Sequence, residues 1–105
     1  MPQFAVYLNK NLRSRSVFPL LVDVQAELLS NLESRVVIPL VKGAAFTSYP
    51  LGLLMPTVEV EGESYLLVTP QLAGVSQWDL GAHTGSVAAH SRAIATALDI
   101  LLRGF

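Results

Sequence analysis

The stretch from Val87 to Leu102 places the tightest constraint on what this chain can fold into. Val87, Ile94, Leu98 and Leu101 recur at helical spacing, so the spacing predicts a helix with one apolar stripe that something must cover. Ser86 is the expected N-terminal cap. Gly104 stands where such a helix stops, because glycine enters the left-handed conformation without a Cβ clash. Phe105 follows, an aromatic residue beside the free carboxylate, which either packs on the body or meets a partner.

Everything before the helix reads as short strands. Phe4–Leu8 and Phe18–Val24 are rich in β-formers, and the polar, basic run Asn9–Ser16 between them reads as an exposed loop. Gln25–Leu32 allows a helical turn. Arg35–Val41 is a third strand whose interior Pro39 donates no ladder hydrogen bond, which predicts an edge position or a bulge. Gly43–Leu54 reads as irregular. Between Met55 and Thr69, Val58 and Val60 alternate with Glu59 and Glu61, and Glu61-Gly62 supplies a hairpin turn. Gln71–Leu80 allows a last strand, and Gly81–Gly85 reads as a loop into the helix. The fold class that follows is mainly β with one C-terminal α-helix, a small antiparallel barrel closed on one side by that helix.

Residues 1–105 make one domain of 105 residues, too small to hide an apolar content of 51% with only 14% charged residues, so a homodimer is expected. No run approaches the ~18 apolar residues of a membrane span, no export signal is visible, and cysteine is absent. The expectation is a cytoplasmic protein with no membrane partner. A net charge of −1 argues against direct sequence-specific nucleic-acid binding. Lys10, Arg13, Arg15, Arg35 and Lys42 nevertheless crowd the first 42 positions, and no basic residue occurs from Gly43 to Ser91.

Candidate chemistry is sparse. Glu59, Glu61 and Glu63 stand two apart and on one strand would share a face, which suits a hard cation but more often is simply a wet face. His83 and His90 belong to no metal pattern, and no nucleophile elbow is present. The reading is therefore no catalytic residue, no metal and no cofactor. Trp78, the sole tryptophan, is expected in the core or at a dimer interface. Arg92, Thr96, Asp99 and Arg103 fall on the helix face opposite the apolar stripe, with Asp99 and Arg103 spaced for an i,i+4 pair. The loop bearing Lys10, Arg13 and Arg15 suits an acidic or disordered partner segment, or else is a solvated turn.

Several blocks, in order, resemble the CcdB family of toxins: Gln3-Phe4-Ala5-Val6-Tyr7, Leu21-Val22-Asp23-Val24-Gln25, Arg35-Val36-Val37-Ile38-Pro39-Leu40 and Pro56-Thr57-Val58-Glu59-Val60-Glu61-Gly62-Glu63-Ser64, then a helix ending in glycine and one hydrophobic residue. The resemblance implies an SH3-like antiparallel barrel with a smaller second sheet, in a symmetric homodimer. It implies a non-catalytic poison of the DNA gyrase A subunit, acting through the positions of Arg103, Gly104 and Phe105. It also implies neutralisation by a CcdA-like antitoxin whose disordered segment meets the loop of Lys10, Arg13 and Arg15. The family's pattern has tryptophan where Arg103 stands, so a homologue that binds antitoxin but poisons gyrase weakly is the nearest alternative. A MazF-like ribonuclease shares the barrel, but needs a basic groove and an acid–base set that this sequence does not supply.

Overall fold

The computed structural model describes residues 2–43 and 52–104. Among the described residues seven strands precede one α-helix: β1 (Ala5–Asn9), β2 (Leu20–Asp23), β3 (Ser34–Lys42), β4 (Thr57–Val60), β5 (Glu63–Leu67), β6 (Ala73–Ser76), β7 (Leu80–Ser86) and α1 (Ser91–Arg103). All pairings are antiparallel, in the order β4-β5-β3-β2-β1-β7, with β6 attached to β3. The barrel-like part and the smaller outlying part share β3, so both belong to one hydrogen-bonded sheet.

Alternation along the strands sorts side chains to two faces. Val6, Leu20, Val22, Ile38 and Leu40 line the face that also gathers Val58, Val60, Leu67, Val87 and Ile94. The sheet curls around this cluster and α1 covers it. The curl brings the two ends of the strand order together: a Cβ on Gly85 of β7 would sit 3.3 Å from Val60 Cγ1 of β4. The other face holds Ala5, Tyr7, Leu21, Val37 and Leu80. A third cluster joins Val41, Met55, Leu66 and Val68.

The hairpin lies as its alternation predicts, with Glu61 at φ 52° and Gly62 at φ 79°, the two left-handed positions of a tight primed turn. Other expectations are corrected. Strand β3 is internal rather than an edge: it pairs β2 on one side, and β6 then β5 on the other. Pro39 is tolerated because its carbonyl, which accepts from Val68 N–H at 3.0 Å, points to the side where pairing passes from β6 to β5. A residue's N–H lies on the side of its C=O, so the missing donor falls in that break.

Residues 81–85 are strand rather than loop, paired with β1 through two register shifts. The segment Leu-Gly-Ala-His-Thr-Gly-Ser has little β propensity of its own, so contact with β1 decides its state. Gly81 makes that contact possible, since a Cβ there would stand 2.8 Å from Leu8 O and 2.9 Å from Leu8 Cβ. The α-helix begins at Ser91, not Val87. Ser86 is not the cap: Val87 precedes a single turn at Ala88–His90 and His90 precedes the helix, neither with a side-chain cap bond, while Ser86 Oγ accepts from Ala88 N–H at 3.1 Å. Gln25–Leu32 contributes one turn, Glu27–Leu29. Of the segment read as irregular, 44–51 lies outside the described residues, and Gly52–Leu54 is a single helical turn. Trp78 is 71% exposed, which removes the core as its home.

Candidate functional site

The helix end is built by sequence that can do little else. Ile94 and Ala97 are buried against the sheet, and Leu98 packs at the edge of the same cluster. The chain leaves the helix at Gly104, whose φ of 82° and ψ of 6° form the left-handed cap, with its N–H bonded to Ile100 O at 2.9 Å. Leu102 is 73% exposed, and Arg103 and Gly104 are exposed beside it. Arg103 reaches back to Asp99 at 3.6 Å, a solvated pair worth a few tenths of a kcal/mol. Phe105 lies outside the described residues. A tip with an apolar side chain, a cation and a side-chain-free cap can dock on a surface.

The basic loop is tightly ordered. Asn9 donates from Nδ2 to Ser14 Oγ at 3.0 Å and to Phe18 O at 2.9 Å, while its Oδ1 accepts from Asn11 N–H at 2.9 Å. Asn11 Oδ1 in turn accepts from Arg13 N–H at 2.9 Å. These side-chain-to-backbone turns are what Asn residues do best, and here they fix the backbone of the basic loop. Lys10 donates from Nζ to Trp78 O at 3.1 Å, linking the loop to the turn Gln77–Asp79. Arg13 and Arg15 are exposed. Between loop and turn lies a groove of about 550 Å³ that Lys10, Phe18, Leu21, Val37 and Trp78 help to line. Arg13 and Arg15 stand outside that lining. The structure thus presents two surfaces, the helix tip and the loop with its groove.

A sequence model of the CcdB protein family matches residues 3–104. The chain belongs to the CcdB family. Members of this family are toxins of toxin–antitoxin pairs, in general gyrase poisons, and the family is not a catalytic one. The curled antiparallel sheet and the single terminal helix are those of a CcdB-like fold. No helix among the described residues is long and apolar enough to cross a membrane.

The three glutamates do not converge: Glu59 pairs with Ser64 and Glu63 with Val60, so the hairpin sends Glu59 and Glu63 to opposite faces, with Glu61 in the turn. Glu63 instead accepts from Tyr65 Oη at 3.0 Å and lies 3.7 Å from Lys42. Among the described residues no three His, Cys, Asp or Glu side chains gather to hold a metal. His90 Nε2 accepts from Glu59 N–H at 3.3 Å, tying the helix entry to β4. His83 sits on β7 with its ring 5.5 Å from that of Tyr7. Burial pushes the Tyr7 hydroxyl above its usual 10.0, helped by the Asp23 carboxylate and opposed by Arg35.

What sequence reasoning missed is an ion pair inside the sheet. Arg35 donates to Asp23 Oδ2 from Nε at 2.9 Å and Nη2 at 2.6 Å, both side chains fully buried. Asp23 Oδ1 accepts from Gln25 N–H at 3.0 Å, and Gln25 then joins Val36 N–H to Leu29 O through its own amide. The pair therefore holds the Glu27–Leu29 turn in place, on which Leu28 is 87% exposed. The available signal was an aspartate closing one apolar strand and an arginine beside the apolar run Val36–Val41 of the next.

Proposed function

We propose that this chain is a cytoplasmic, homodimeric poison of the gyrase A subunit. It docks through Arg103, Gly104 and Phe105, performs no catalysis, and is neutralised by a CcdA-like antitoxin that meets Lys10, Arg13 and Arg15. Residues 1–105 act as one unit in this reading. The observation that carries it is membership of the CcdB family across residues 3–104, joined to an exposed helix end at Leu102–Gly104. The apolar surface supports the dimer, since Leu12, Leu28, Leu53, Trp78 and Leu102 are all exposed on one small chain.

Induced expression in gyrase-sensitive and gyrase-mutant cells tests the target. Growth arrest confined to the sensitive strain is expected, and arrest in both strains overturns the gyrase reading. A second reading keeps the fold and the antitoxin but weakens the poison, and Arg103 favours it. The guanidinium paired with Asp99 stands where the family pattern has an aromatic anchor. Loss of such an anchor costs ~2 kcal/mol or more, roughly thirtyfold in affinity. No arrest in the sensitive strain, with antitoxin binding retained, would establish this second reading.

A further inference from the structure

The last turn of α1 gathers three exposed residues on one face. Asp99, Leu102 and Arg103 stand three and four positions apart, the spacing at which helical side chains are neighbours. Ile94 and Ala97, buried against the sheet, fix which face of the helix is left to solvent. Asp99 and Arg103 meet at 3.6 Å, each side chain more than half exposed. Resting on the reading of this helix end as the gyrase-docking tip, we propose that Asp99 determines which target surface the tip accepts. The partner group is a lysine or arginine side chain of the gyrase A subunit, which takes the Asp99 carboxylate from Arg103 as the tip docks.

Two observations select a cation. The first is the field of the helix end. A helix C-terminus carries the negative end of the macrodipole and carbonyls that no intrahelical N–H reaches. Gly104 N–H takes the Ile100 carbonyl, so among the described residues the carbonyls of Leu101 and Leu102 have no backbone donor. Asp99 adds a full negative charge one turn earlier, and Arg103 neutralises that charge without reversing it. An anionic group seeking Arg103 approaches against both the dipole and Asp99, whereas a cation is drawn by both. The second observation is the weakness of the resident pair. An acid four positions before a base suits a helix, but an ion pair this exposed is screened by water and salt and is easily opened. Leu102 beside it, 73% exposed, is the apolar ground that a docked surface covers. Covering it dries the neighbouring carboxylate, and a charge pair shielded from water is stronger than the solvated pair it replaces. A target with a carboxylate at that place meets like charge and is rejected, which is how one residue sets specificity.

Calorimetry of the full-length chain with the gyrase A subunit tests this. Asp99→Asn keeps the shape and removes the charge; it is expected to weaken binding about tenfold and to flatten its salt dependence. Arg103→Gln removes the competing cation, and is expected to bind as the unmutated chain does or more tightly. A charge swap supplies a readout that a merely structural role would not move. Lysines and arginines of the gyrase A subunit are changed singly to glutamate, and one change should abolish binding to the unmutated chain yet restore it to Asp99→Lys. Undiminished binding by Asp99→Asn, weaker binding by Arg103→Gln, or the absence of any rescuing swap overturns the inference and leaves the gyrase reading standing. Failure of the unmutated chain to bind the gyrase A subunit overturns both.

Discussion

Removing one partner of the buried Asp23–Arg35 pair should come close to unfolding the protein, while removing both should not. Arg35→Met deletes both hydrogen bonds to Asp23 Oδ2 and leaves a fully buried carboxylate whose remaining partner is Gln25 N–H. Stranding a buried charge costs about 3–5 kcal/mol. A domain of this size has about 5–15 kcal/mol in total, so the single variant sits near or past the edge of folding. Asp23→Leu strands the guanidinium instead and also orphans the Gln25 amide, adding about 1–3 kcal/mol. The double variant leaves no buried charge. It also removes Arg35 Nη1, a buried donor without a hydrogen-bond partner, whose relief offsets much of the orphaned amide. The coupling between the two sites should therefore reach about 3 kcal/mol or more, with the double variant within about 2 kcal/mol of the parent. Urea unfolding followed by circular dichroism, at one fixed protein concentration, measures all four chains. If Arg35→Met costs less than about 1 kcal/mol, or the two single costs simply add, the pair is not the buried, interdependent unit described.

Three further outcomes are expected. Gly81→Ala forces a Cβ into the backbone and Cβ of Leu8, so β7 must move off β1; a loss of about 1–3 kcal/mol in urea is expected, and a neutral result would mean the strand contact is looser than 2.8 Å. Tyr7 holds its proton more tightly folded than unfolded, so its contribution is full below pH 10.0 and is lost as pH rises through the higher folded value; Tyr7→Phe should flatten the fall of stability with pH above 10.0 in urea titrations, and an unchanged slope refutes this. Arg103→Trp should tighten binding to the gyrase A subunit by roughly thirtyfold in calorimetry, with no gain removing the anchor explanation for a weak poison.

Local patterning carried the hairpin, the first three strands and the helix a long way, because each encodes its own period or turn. Val58 to Val60 alternate around wet glutamates, and Glu61-Gly62 suits the two left-handed turn positions without help from the rest of the chain. Gly104 likewise stops its helix by a local conformational preference. The ordered blocks from Gln3 to Ser64 made the CcdB resemblance visible before any coordinate, and the family match across 3–104 agrees with it.

Tertiary contact decided the rest, wherever a residue's state depended on what lay opposite. Leu80–Ser86 became a strand because β1 offered an edge and Gly81 let the backbones meet, not because its residues favour extension. Pro39 sits inside the sheet because its missing donor falls where β6 gives way to β5, a coincidence of register that no single strand encodes. Asp23 and Arg35, twelve residues apart, lose their cost only when folding brings them to 2.6 Å. The groove is of the same kind: Lys10 and Trp78 stand 68 positions apart, and only the fold makes them two walls of one cleft. Period and turn chemistry act over a few residues, whereas burial, register and charge pairing are properties of neighbours in space.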